Sequence, residues 1–182
     1  MNHSETLSMT RRCFFVAAGL GAAGVAGAAQ PAASAAEMPG AELLGEGDAN
    51  TTYLLVFHTG QEVMRGLLAF ARRHRLVVGH LTGIGAISDA VIGYFDPEKK
   101  VYLRTHEKGQ AEVLSMTGNL ALDAGEPFYH VHVALGRRDG WARGGHLFEA
   151  TVRPTVELVL TTYRKPMQRK IDPATGLPLL VT

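Results

Sequence analysis

The chain has 182 residues, of which 46% are hydrophobic and 19% charged, with 18 Lys+Arg against 17 Asp+Glu. This is too apolar and too evenly charged for a disordered tail, and the length suits one domain with at most an appended segment. A net charge near zero gives no global field to draw the chain onto nucleic acid or anionic lipid, so such binding would need a local patch.

At the N-terminus, residues 10–36 combine Arg11-Arg12, an apolar stretch rich in Ala and Gly, and a small-residue exit at Ala33-Ser34-Ala35. This is the pattern of an export signal. The run from Cys13 to Ala29 is too diluted by glycine, and too soon ended by Gln30-Pro31, for a stable spanning helix. Thr10-Arg11-Arg12-Cys13-Phe14-Phe15 resembles the twin-arginine signal, with a general secretory signal as the alternative. Residues 1–36 are therefore expected to be removed, leaving a periplasmic or extracellular protein with no stable membrane anchor. Their loss takes away Glu5, Arg11, Arg12 and Cys13, so the mature chain carries 16 basic and 16 acidic residues and no cysteine. Disulfides, thiolate-ligated metals and thiol nucleophiles are thereby excluded, and chemistry falls to His, carboxylates, hydroxyls or a bound metal.

Residues 37–50 are short of large side chains and carry Pro39, Gly40, Gly45 and Gly47, which reads as a linker with order beginning at Thr51. Thr52 to Phe57 is a β-branched and aromatic run of strand length. Val63, Leu67, Leu68, Phe70 and Ala71 then recur at helical spacing and predict an amphipathic helix over about 60–74. Thr59 is its expected N-cap, with Glu62 completing a capping box, and Arg72-Arg73-His74-Arg75 suits the C-terminal dipole. Further on, 76–84, 87–95, 101–106, 111–120, 128–135, 146–152 and 155–163 read as strands. Their connections are too short for repeated helical crossovers, so the fold class is α+β, a mainly antiparallel sheet with one principal helix. The domain spans 51–165, and the Pro- and Gly-punctuated tail 166–182 is expected to be peripheral.

The most informative residues are His130 and His132 in Phe128-Tyr129-His130-Val131-His132-Val133. Residues i and i+2 of a strand share a face, with Cα atoms about 6.8 Å apart, so both imidazoles can reach one ion. Tyr129, Val131 and Val133 then face the core. His146, after the close-approach pair Gly144-Gly145, is a third candidate. Three neutral imidazoles with an open fourth position suit a divalent metal, zinc first among nickel, iron and copper. A simple hairpin about Asp139-Gly140 places His146 opposite about Leu135, some three residues from His132, unless a bulge or wide loop shifts the register. A hydrogen-bonded cluster without an ion is the competing reading. His80, Glu149 and Glu157 are candidates for supporting bonds to ligand imidazoles, and Arg143, in the basic loop from Arg137, for an anion-binding lip; a satisfied core position for His80, surface strand positions for the glutamates and a solvated hairpin tip for Arg143 are the competing readings.

Gly83-Ile84-Gly85-Ala86 looks like a phosphate loop but lacks a third glycine and a following helix, and reads as a tight strand connection. Ser88 and Asp89 lack the strand, elbow and helix setting of a hydrolase triad.

Taken together, Leu81-Thr82-Gly83-Ile84-Gly85-Ala86-Ile87-Ser88-Asp89-Ala90, Gly93-Tyr94-Phe95, His130-Val131-His132, Gly145-His146-Leu147-Phe148 and Val156-Glu157-Leu158-Val159-Leu160 resemble the plants-and-prokaryotes-conserved (PPC) domain over about residues 50–165. The resemblance implies an α+β domain assembled as a homotrimer, a metal site at His130, His132 and His146, and, in plant members, DNA binding through added AT-hooks. No AT-hook core is present here. The expected function is thus an exported, trimeric, metal-binding protein with small-anion binding or metal-assisted chemistry left open. DNA binding through Arg72, Arg73, Arg75, Arg137, Arg138 and Arg143 is the alternative. Trimer formation would cover sheet surface that a chain of this size leaves open, and would place the metal site near a subunit boundary.

Overall fold

The computed structural model describes residues 37–181; the proposed signal segment lies outside them. Eight strands and one helix follow in the order β1 (Gly40–Glu46), β2 (Asn50–His58), α1 (Val63–His74), β3 (Gly79–Asp96), β4 (Val101–Asp123), β5 (Glu126–Gly136), β6 (Ala142–Tyr163), β7 (Gln168–Ile171) and β8 (Pro178–Val181). The sheet runs β1-β2-β6-β3-β4-β7-β8, with β5 paired to both β4 and β6. Every pairing is antiparallel except β4 with β7. Because β3 pairs with β4, β4 with β5, β5 with β6 and β6 with β3, the four long strands close a ring.

Several strand readings merge. The segments 76–84 and 87–95 are one strand, β3, and the segments 146–152 and 155–163 are one strand, β6. Lys108-Gly109 does not interrupt β4. Bulges near Gly85 and Ile87 bend β3 without ending it, so glycine here marks curvature instead of a turn.

Residues 37–50 are not a free linker: β1 pairs with β2, and Gln61 Nε2 donates to Met38 O at 2.8 Å. All seven β1 residues are exposed, so the strand carries no apolar alternation by which to be recognised. The tail forms the β7–β8 hairpin and buries Arg169.

Helix α1 lays Val63, Leu67, Phe70 and Ala71 into a core shared with Phe57, Met116, Val131, Leu135, Leu147 and Leu158. Its N-cap is Glu62, whose carboxylate accepts from Met64 N at 3.0 Å and Arg65 N at 2.6 Å. The same carboxylate accepts from Ala150 N of β6 at 3.0 Å, tying the helix start to the sheet. Thr59, the expected cap, instead donates to Pro154 O. Arg72, Arg73 and His74 occupy the last turn, and Arg75 closes it in the left-handed region. Glu62→Ala should cost about 1–3 kcal/mol in a urea titration, because it orphans donors at the helix start and one on β6. Thr59→Ala should be close to neutral.

Candidate metal centre

Strand β5 alternates cleanly: Tyr129, Val131 and Val133 are buried, while His130 and His132 point to the other face. The β5–β6 hairpin pairs Gly136 with Ala142 and leaves Arg137–Trp141 as its loop, where Arg137 N donates to Trp141 O at 2.8 Å. That loop sets His146 directly opposite His132, while Leu135 faces Arg143. His146 therefore does not fall opposite Leu135: a loop centred on Asp139 brings it to His132, and no neighbouring subunit is needed to complete the trio. Gly144 and Gly145 allow the approach: a Cβ on either would lie 2.5 Å from a carbonyl oxygen, of Val133 and Gly93 respectively.

One ring nitrogen from each of His130, His132 and His146 lies within 4.8 Å of the others. The Nε2 atoms of His130 and His132 are 3.1 Å apart. Two nitrogens bound to one tetrahedral ion at 2.0–2.1 Å would stand about 3.3–3.4 Å apart, so a small shift converts this contact into shared coordination. His146 packs between Tyr102 and Phe148, with ring centroids 4.9 and 4.8 Å away, and its Nδ1 is fully buried without a hydrogen-bond partner. An idle core histidine would have that atom satisfied. An orphaned imidazole inside a trio of soft-to-borderline nitrogen donors fits a ring kept for a divalent ion.

Burial, reinforced by the neighbouring imidazoles and by Arg104 and Arg169, lowers the His146 pKa to about 4; burial, His132 and Arg169 lower that of His130. Both rings are thus neutral near pH 7 and hold lone pairs free for coordination. Below pH 6.5 the unfolded chain takes up protons at these positions that the fold refuses, so metal-free stability is full above 6.5 and falls as pH drops toward about 4. Urea midpoints from pH 7.5 to 4 should show that decline, and His146→Gln should flatten it.

The other candidates do not join the trio. His80 faces Asn119 and Asn119 faces His130, so His80 sits two strands from His130, about 9.6 Å across the sheet. Its Nδ1 pairs instead with Tyr163 Oη at 3.2 Å. Glu149 and Glu157 are exposed opposite Val91 and Ile84, and neither bonds to a cluster imidazole. Arg143 is one residue out of phase with His146 and donates to the buried Glu107 at 3.1 Å. Sequence reasoning missed Tyr102, Arg104, Asn119 and Arg169. Arg104 stacks 3.9 Å above the Phe148 ring, and Arg169 donates to Asn119 Oδ1. Their signal is long-range pairing, which no local motif carries.

Residues 44–164 match the family model described as the Plants and Prokaryotes Conserved (PCC) domain. Similar solved structures include a plant- and prokaryote-conserved (PPC) protein of Pyrococcus horikoshii, with TM-score 0.69 and 34% identity over 78% of this chain and 94% of that one. A metal-containing protein of Archaeoglobus fulgidus gives TM-score 0.68 and 34% identity over 80% and 99%. A Bacteroides thetaiotaomicron protein, named as a candidate DNA-binding protein, gives TM-score 0.72 and 27% identity over 78% and 96%. The comparison with curated proteins gives no match.

Proposed function

The chain belongs to the Plants and Prokaryotes Conserved domain family, and on that premise we propose that it is an exported homotrimer binding one divalent ion, zinc, per chain through His130, His132 and His146. The observation that carries the metal reading is the convergence of three ring nitrogens within 4.8 Å, one of the rings with an orphaned buried Nδ1. The similarity to a protein named as metal-containing supports it. Bound there, zinc would supply a Lewis-acidic centre with an open position; the chain's own residues would hold it, with Tyr102 and Phe148 packed against His146 and burial keeping His130 and His146 neutral. Protein purified without an affinity tag should contain close to one equivalent of divalent metal per chain. Absence of stoichiometric metal, or unchanged content in His132→Ala, would overturn the reading.

Export rests on the Arg11-Arg12 and apolar pattern of the N-terminal segment. Assembly is supported by exposed apolar side chains beside one another on the outer face: Ile84 and Leu114 are 61% and 54% exposed and flank a groove with Ala86, Val113 and Pro154. Light scattering of the mature protein at low micromolar concentration should give three times the chain mass, and a monomeric mass would overturn assembly.

DNA binding is the second reading, favoured by the name of the Bacteroides relative. Two of its arginines are already engaged, Arg72 with Glu126 at 3.5 Å and Arg143 with Glu107 at 3.1 Å. A salt titration of binding to duplex DNA separates the readings, since several phosphate contacts would give a steep fall of affinity with salt.

A further inference from the structure

Arg169 is a buried cation whose guanidinium lies over the Phe128 ring, 5.0 Å from its centroid, and has no carboxylate paired to it. It lies on β7, beyond residues 44–164 that match the family model, and is 5% exposed. Its Nη1 donates to Pro178 O at 2.8 Å, its Nη2 to Asn119 Oδ1, and its Nε is buried with no partner. Asp123 acts on it electrostatically but forms no ion pair with it. A guanidinium shut away without a paired carboxylate is costly, and such a group persists where an anion completes it.

Its neighbours locate that anion. Asn119 faces His130 across the β4–β5 ladder, so the guanidinium that Asn119 holds stands beside the histidine trio. Arg104 approaches from the other half of β4, stacked on Phe148, whose ring touches that of His146. Three neutral imidazoles bring no charge to an ion, and no carboxylate among the described residues joins them. An ion held there with two guanidinium groups alongside would leave a concentrated positive charge that repels cations and draws anions into a partly desolvated site.

We propose that the centre is built to take a small oxyanionic ligand, a carboxylate or a phosphate, bound at the open position of the ion and recognised by the guanidinium groups of Arg169 and Arg104. The C-terminal hairpin is then part of the binding site, the segment that brings Arg169 to it. The planar fork of arginine matches two oxygens of either anion, which a lysine cannot do. The unpaired Nε–H of Arg169 is a donor already stripped of water.

This proposal rests on the metal reading, and one experiment separates the two. The full chain is loaded with cobalt(II), whose visible bands report its coordination, and titrated with acetate, inorganic phosphate and, as a neutral control, acetamide. Cobalt should bind, acetate or phosphate should perturb the bands at saturable concentrations, and acetamide should not. Arg169→Gln should weaken the responding anion by tenfold or more, with Arg169→Lys recovering part of that loss, while cobalt affinity stays equal or rises because a positive neighbour is gone. Arg104→Gln alters an exposed side chain and should weaken the anion severalfold, which keeps the test decisive even if Arg169→Gln unfolds. Failure of the wild type to bind cobalt would overturn the metal reading and this proposal together. Cobalt binding with no anion response, or with equal anion affinity in wild type and variants, would overturn this proposal alone.

Discussion

Zinc at a thousandfold excess over the wild-type Kd is expected to raise the unfolding free energy of the wild-type protein by about 4 kcal/mol, and His146→Ala to lose at least about two-thirds of that gain. The variant keeps two donors of three. Disturbing even an outer partner of a ligand commonly costs 10–100-fold in metal affinity, so removing a ligand should cost at least about 100-fold. Without metal, the same substitution should cost far less than zinc adds to the wild type. The Nδ1 of His146 has no hydrogen bond to lose, and the ring is lowest in pKa because burial opposes its charge. What remains is the contact of the ring with Tyr102 and Phe148. Thermal unfolding of wild type and variant, each with zinc and with chelator, checks both halves. A variant that collapses equally with and without zinc would make His146 a packing residue and sink its role as a ligand.

The histidine pair is legible because a strand writes its faces into the chain at period two. His130 and His132 alternate with Tyr129, Val131 and Val133, and burial follows that alternation. The third histidine is a candidate from the sequence, and the structure brings it to the pair at His132 and not at Leu135. The loop from Arg137 to Trp141 is centred on Asp139, where the turn signal stands, and pairing counted outward from that centre reaches His132 and His146 together. Hydrophobic periodicity located α1, whereas its cap was misread because Glu62 and Thr59 both lie near the helix start and both can accept. Position relative to β6 selects Glu62, through its bond to Ala150 N.

Other features left no local trace. β1 is exposed along its length and is a strand only because β2 offers an edge. Arg169 reads as an ordinary charge in a tail, since its partner Asn119 is 50 residues away in the chain. The arginines that flank the histidine trio are therefore visible only once β4, β5 and β7 are assembled.

Gly83→Ala should be among the most destabilising single substitutions in the chain, and it tests why the Gly83-Ile84-Gly85-Ala86 segment has its composition. The two glycines lie inside β3, against β6. A Cβ on Gly83 would run into the backbone oxygen of Glu157 and the side chain of Leu158, and would lie 2.9 Å from Leu158 Cα. Most of these are main-chain atoms of β6, which cannot swing aside as a flexible side chain could. The β3–β6 ladder must open locally, and the strain falls where Leu81, Leu158 and Leu160 are packed. Overpacking of this kind costs about 1–3 kcal/mol and more where the backbone is the obstacle. Gly85, with φ +148° and the backbone of Thr155 and Val156 equally close, adds the conformational penalty of a β-carbon in that region. Gly45→Ala is the control, because a Cβ there meets nothing within 4 Å. Urea midpoints should fall sharply for Gly83→Ala and Gly85→Ala and hardly move for Gly45→Ala. Equal midpoints for Gly83→Ala and Gly45→Ala would mean that β3 and β6 do not pack at this distance.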